Sequence, residues 1–291
     1  MTSGTDRPVA VVTGASSGIG RSTARKLVAA GWHVIGVGRD PVRSADAEAE
    51  ISSAAPDSAS FTMLRADFDL MSEVARVATE IMSRTATVDV LINNAGGVRD
   101  RVIVTAEGTE ATFAANHLAP FLLTRELMPA LTSRAAQSPP GTVRVIAVSS
   151  TAHRSSPGLD WTDLQGLGKS RYGVHYLDAK LANLLYTREL ARRVTPDGIV
   201  AQAMHPGVVA SNFSTHANEI MQAHMAAGDQ VSPDEPADTL LWLATAPEVG
   251  RAGGRYFHRM AEVIPADVAL DDIAAARLWE ESEKLLASLG H

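Results

Sequence analysis

The sequence predicts an α/β fold: a doubly wound parallel sheet with helices on both faces. Three observations carry that expectation. Short β-branched apolar runs recur at 9–12, 34–37, 88–92, 143–148 and 199–204. Helix-length segments separate most of them, so successive strands pair in parallel through right-handed crossovers. The runs are continuously apolar rather than alternating, as in strands covered on both faces. A ligand is then expected at the carboxyl ends of the strands.

Taken in order, the first run leads into Thr13-Gly14-Ala15-Ser16-Ser17-Gly18-Ile19-Gly20, which opens a helix. Glycines there let the backbone pass close to a pyrophosphate, and the free N–H groups and dipole of a helix start attract its charge. The spacing is G-x3-G-x-G, without the lysine of a P-loop, and a tight turn alone would also explain it. Gly31 ends that helix as a left-handed cap. The second strand closes on Val37-Gly38-Arg39-Asp40. An acid at this place holds ribose hydroxyls, whereas an arginine pairs with a 2'-phosphate. Gly38 is read as leaving space and Arg39 as the donor fork, while Asp40 before Pro41 reads as a helix N-cap. The other assignment, a solvated Arg39 and Asp40 as ribose ligand, stays open.

Farther along, Ser232, Pro233 and Glu235 form a capping-box pattern. Residues 52–60 and 133–141 read as surface connections, and 271–289 as a packed amphipathic helix. With 291 residues and 45% hydrophobic content, the chain is expected to fold as one domain over 8–291, after a polar tail at 1–7. A net charge of -7 argues against a broad nucleic-acid surface. The absence of cysteine excludes disulfides, thiolate metal sites and a cysteine nucleophile. No metal is expected, since His117 and His205 lack a two-histidine ligand spacing. The N-terminal apolar run is too short for a signal peptide or membrane span, so a cytoplasmic location without an integral membrane segment is expected.

Five further segments make the pattern specific: Asp67-Phe68, Asn93-Asn94-Ala95-Gly96, Asn116-His117-Leu118, Val148-Ser149-Ser150 and Tyr176-Leu177-Asp178-Ala179-Lys180, with His205-Pro206-Gly207 after the sixth strand. Each has a bland reading as a turn, a cap or a satisfied core amide. In this order the set resembles the short-chain dehydrogenase/reductase family, from about Pro8 to the C-terminus. It looks closest to the retinol dehydrogenase-like and WW-domain oxidoreductase-like branch through 176–194 and 278–286. The resemblance implies a Rossmann-type fold and oxidoreductase activity with a nicotinamide dinucleotide, NADP(H) in preference to NAD(H).

It also implies catalytic roles for Asn116, Ser150, Tyr176 and Lys180, with Ser150 rather than Ser149 at the substrate and Asn116 positioning a water beside Lys180. Cofactor contacts are implied at Gly14, Ser16, Ser17, Gly18, Ile19, Gly20, Arg39, Asp67, Phe68, Asn94, Ala95, Gly96, Tyr176, Lys180, Pro206, Gly207, Val209 and Ser211. Reducing a carbonyl needs a proton as well as a hydride. Tyr176 is read as the acid, its pKa lowered by Lys180 one helical turn on. Tyr172 is a decoy, followed four residues later by Tyr176 and not by lysine.

Substrate loops are expected at 153–175 and 207–235. Val208, Val209, Phe213, Ile220, Met221 and Met225 suggest a lipophilic ketone or aldehyde. The same residues could simply pack on the core. Family members often form homodimers or homotetramers through the helices carrying Asn116 and Tyr176, so either assembly is open. Two other readings remain: a nonenzymatic dinucleotide sensor or scaffold, and an epimerase or dehydratase of related fold.

Overall fold

A computed structural model of the protein describes residues 7–168, 174–210 and 230–291. Within them, eight strands form one sheet in the order β3-β2-β1-β4-β5-β6-β7-β8. These are β1 (Val9–Thr13), β2 (His33–Gly38), β3 (Ser60–Arg65), β4 (Val90–Asn93), β5 (Val143–Val148), β6 (Ile199–Met204), β7 (Tyr256–His258) and β8 (Ala261–Glu262). Every pairing is parallel except β7 with β8.

Burial follows the two-faced reading. Along β1, Val9 and Val11 join one core while Ala10 and Val12 join the other. Helices α1 (Gly18–Ala29), α2 (Pro41–Ser53) and α7 (Asp234–Thr245) cover one face. The other carries α3 (Met71–Arg84), α5 (Ala119–Ala135), α6 (Val174–Val194) and α8 (Asp272–Ser288). A short turn, α4 (Ala111–Phe113), enters α5 through a π-helical segment, Ala114–Leu118. The chain reverses direction across the sheet between β1 and β4, so their carboxyl ends open a crevice where helices leave to opposite faces.

Several local expectations are met by name. Asp40 caps α2, accepting from the Arg43 N–H at 2.9 Å. The helix expected at 271–289 is α8, which Asp271 caps by accepting from the amides of Ile273 and Ala274. Other expectations need correction. Ser232 makes no capping box: its hydroxyl accepts from Asp234 N, and Glu235 pairs with Arg259 across to the β7–β8 turn. The cation outside the helix wins the carboxylate from the backbone. The supposed connections at 52–60 and 133–141 are shorter, because α2 runs to Ser53, β3 starts at Ser60 and α5 reaches Ala135. The loop at 153–175 begins in a 3-10 turn, Thr151–Ser155, and gives way to α6 at Val174. Tyr172, Ser211, Phe213, Ile220, Met221 and Met225 lie outside the described residues.

Candidate active site

The crevice is a cleft of about 840 Å³. Among the described residues, it is lined by every site residue expected from the sequence except Gly20 and Asn116; Ser211 lies outside the described residues. The turn after β1 forms its floor. Gly14 has φ +70, and a Cβ there would meet Asn94 Nδ2 at 2.7 Å, so both conformation and space call for glycine. Buried Thr13 joins the ends of β1 and β4: its Oγ1 accepts from the amides of Asn94 at 3.0 Å and Ala95 at 2.9 Å. The Asn94 side chain returns the tie, donating to Thr13 O at 2.8 Å.

The N-cap residue of α1, Ser17, makes no side-chain cap bond, and no acid stands in the first turn of the helix. The amides at the start of α1 are therefore left for an anion at the cleft, where Ser17, Gly18 and Ile19 lie. That provision fits a dinucleotide pyrophosphate. Gly38 does something other than expected: a Cβ there would strike Ser44 Oγ at 2.7 Å and Ser16 Cβ at 2.9 Å, so its missing side chain admits protein atoms, not a ligand.

At the far end of the floor, Arg39 Nη1 lies 3.7 Å from both Asp67 Oδ1 and Asp69 Oδ2. Arg99 holds Asp69 through both carboxylate oxygens. Arg43, one turn into α2, also lines the cleft, 3.7 Å from Asp40 Oδ2. Sequence reasoning missed Arg43 and Arg99. Arg43 had a signal, since it stands three residues beyond the Asp40 cap and shares its helix face.

The other wall comes from β5 and α6. Ser149 turns inward, donating to Lys180 O at 2.9 Å, whereas the Ser150 side chain hydrogen-bonds Tyr176. Lys180 Nζ donates to Val148 O at 3.0 Å and stands 5.5 Å from the center of the Tyr176 ring. The expected electrostatics are reversed. Burial pushes the Tyr176 phenol up to about 12, with the Ser150 hydrogen bond pulling the other way. Burial likewise pushes Lys180 down to about 7. Desolvation of each group outweighs their attraction, because both charged forms lose water in the same enclosed corner.

Asn116 sits in the π-helical segment. Its Nδ2 donates to Gly97 O at 2.9 Å and Thr112 O at 2.8 Å, while its buried Oδ1 has no partner among the described residues. A Cβ on Gly96 would collide with that oxygen and lie 3.6 Å from Lys180 Nζ. Asn116 and Lys180 thus flank one spot. The Asn183 amide, one turn beyond Lys180, donates to Asn116 O at 2.7 Å. Pro206, Gly207 and Val209 edge the cleft, held by Ala210 N donating to Val231 O and Val231 N donating to Val208 O.

A sequence profile of the short chain dehydrogenase family matches residues 8–222. Retinol dehydrogenase 14 of Mus musculus is 32% identical, over 96% of this chain and 86% of its own length. Polyprenol dehydrogenase of the same species is 34% identical, over 97% of this chain and 84% of its own. The Pseudomonas aeruginosa RhlG/NADP active-site complex superposes with a TM-score of 0.69 at 26% identity, covering 86% of this chain and 93% of that one. The chain belongs to the short chain dehydrogenase family. It is an oxidoreductase acting on CH–OH or C=O groups. Among the described residues, no helix is long and apolar enough to cross a membrane.

Proposed function

We propose that this chain moves a hydride between NADP(H), in preference to NAD(H), and the carbonyl or alcohol carbon of a lipophilic substrate, with Tyr176 as proton donor and acceptor. One observation carries the reading: the Ser150, Tyr176 and Lys180 side chains meet in the same cleft as the uncapped start of α1 and the Arg39 guanidinium. A bound nicotinamide supplies or accepts the hydride. Ser150 holds the substrate oxygen, and Tyr176, whose burial keeps it protonated near neutral pH, delivers the proton. Lys180, when charged, favors the phenolate left behind and fixes the nicotinamide ribose. Asn116 orders the space beside Lys180 through which that proton is replaced.

Arg39 and Arg43 support the phosphorylated cofactor, each about 45% and 44% exposed at the cleft edge, where a 2'-phosphate can accept from both. RhlG, solved with NADP, has the same architecture. Lipophilicity is supported by the relatives named for retinol and polyprenol. It is also supported by Ala152, Leu177, Val208 and Val209 on the cleft wall.

The test is a panel of lipophilic ketones, aldehydes and alcohols, followed by cofactor absorbance. Tyr176→Phe is expected to cut kcat by about 10³-fold with dinucleotide affinity retained. Equal turnover by wild type and variant would refute the acid assignment. Arg39→Asp is expected to lower the NADP(H)-to-NAD(H) preference by about tenfold or more, and an unchanged ratio would remove Arg39 as its source.

A further inference from the structure

His153 is fully buried in the 3-10 turn that follows Ser150, beneath the cleft wall. Its Nδ1 lies 2.6 Å from the Ser150 carbonyl oxygen, and its Nε2 lies 3.1 Å from the Ala266 amide nitrogen. A carbonyl can only accept and a backbone amide can only donate. The ring must therefore be neutral, with its proton on Nδ1. Burial, the largest influence, also lowers its pKa. The ring is held edge-on against Tyr256, with centers 5.4 Å apart at 89°. Next to it, Arg154 donates to the Ile264 carbonyl, a second tie between this turn and the segment entering α8.

We infer that His153 is a positioning residue: by bridging the Ser150 carbonyl to the Ala266 amide, it fixes the peptide that carries the Ser150 hydroxyl relative to Tyr176. This rests on the reading of Ser150 and Tyr176 above. The Ser150 carbonyl receives two donors, His153 Nδ1–H and, at 3.3 Å, the His153 amide, so its peptide plane is set from below. The hydroxyl above accepts from the Ala152 amide at 3.1 Å and bonds Tyr176, with the substrate oxygen as its further partner. A shift of about 1 Å in a group that orients substrate costs up to about a hundredfold in rate.

Asparagine places an amide N–H near imidazole Nδ1, and glutamine places its amide near Nε2, so the two substitutions separate the two bonds. His153→Ala and His153→Gln are expected to lower kcat by about tenfold or more with the dinucleotide KM within about threefold of wild type. His153→Asn, which keeps the donor to Ser150, is expected to recover most of kcat. Thermal unfolding of each variant tracks folding, and the Asn/Gln contrast carries the test if His153→Ala does not fold. Full kcat in His153→Gln, or equal losses in Asn and Gln, would overturn the positioning role. Tyr176→Phe runs in parallel. If it matches wild type, the acid assignment fails and this inference falls with it; if it is inactive while His153→Gln is unimpaired, only the positioning role fails.

Discussion

Tyr176 and Lys180 stand one helical turn apart, yet the closed corner they share governs both more than they govern each other. Burial pushes the phenol up to about 12, so Tyr176 is protonated at neutral pH, and pushes the Lys180 amine down to about 7. The pH consequence differs by direction. In reduction the proton is already on the phenol, so the rate should change little through its titration below about pH 10. In alcohol oxidation the phenol must first lose its proton. The phenolate fraction rises up to about tenfold per pH unit below the pKa, and Lys180, losing charge above neutrality, makes the climb shallower. Initial rates in both directions from about pH 6 to about pH 10 check this. An oxidation rate that stays flat would mean that Tyr176 is not the base.

At the scale of elements, the site is a junction of strand ends, and Thr13 shows how the junction is held. Its hydroxyl accepts from two amides of the turn after β4 and is fully buried. Thr13→Val keeps the shape and removes the acceptor. It should destabilise the fold by about 2 kcal/mol, because buried donors lose their partner, and should weaken dinucleotide binding by loosening Asn94-Ala95-Gly96. Denaturant unfolding and dinucleotide titration measure the two effects; unchanged stability and affinity would show that the turn holds itself. Thr13 was legible only as the residue before Gly14, since its partners lie some eighty residues away. The same limit explains the other misses. Apolar runs announce β1, β2, β4, β5 and β6, but β7 and β8 are three and two residues long and exist only through pairing. Gly38 looked like room for a ligand until Ser16 and Ser44 were seen to fill it. Asn116 was legible as a helix residue, but its π-helical turn depends on the packing around it. Arg39 was legible from its strand end and the Tyr176–Lys180 pair from helical spacing, whereas the roles of Asp67 and Ser150 were legible only through the family resemblance.

For the whole molecule, α8 covers a face of the helices through which self-association was expected. It lies across α5 and α6, the helices that follow Asn116 and carry Tyr176. Trp279 packs 4.7 Å from Phe121 and stacks on Tyr186 at 5.8 Å between ring centers, with the Arg193 guanidinium 4.3 Å from its ring center. Polar ties add direction. His117 shares a buried hydrogen bond of 2.8 Å with Ser282, Arg125 pairs with Glu283 at 2.8 Å, and Arg188 pairs with Asp272 at 2.8 Å. Two copies could meet through these faces of α5 and α6 only after α8 left them, exposing Phe121 and Tyr186, each worth about 2 kcal/mol when buried. The intact chain is therefore expected to make no dimer through α5 and α6, while a chain cut before Asp271 should aggregate or lose its fold. Sedimentation gives the size of the intact chain and of the cut form, and hydrogen exchange gives the protected surface. A stable dimer of the intact chain in which association newly protects α5 and α6 would show that α8 yields its place to a second copy.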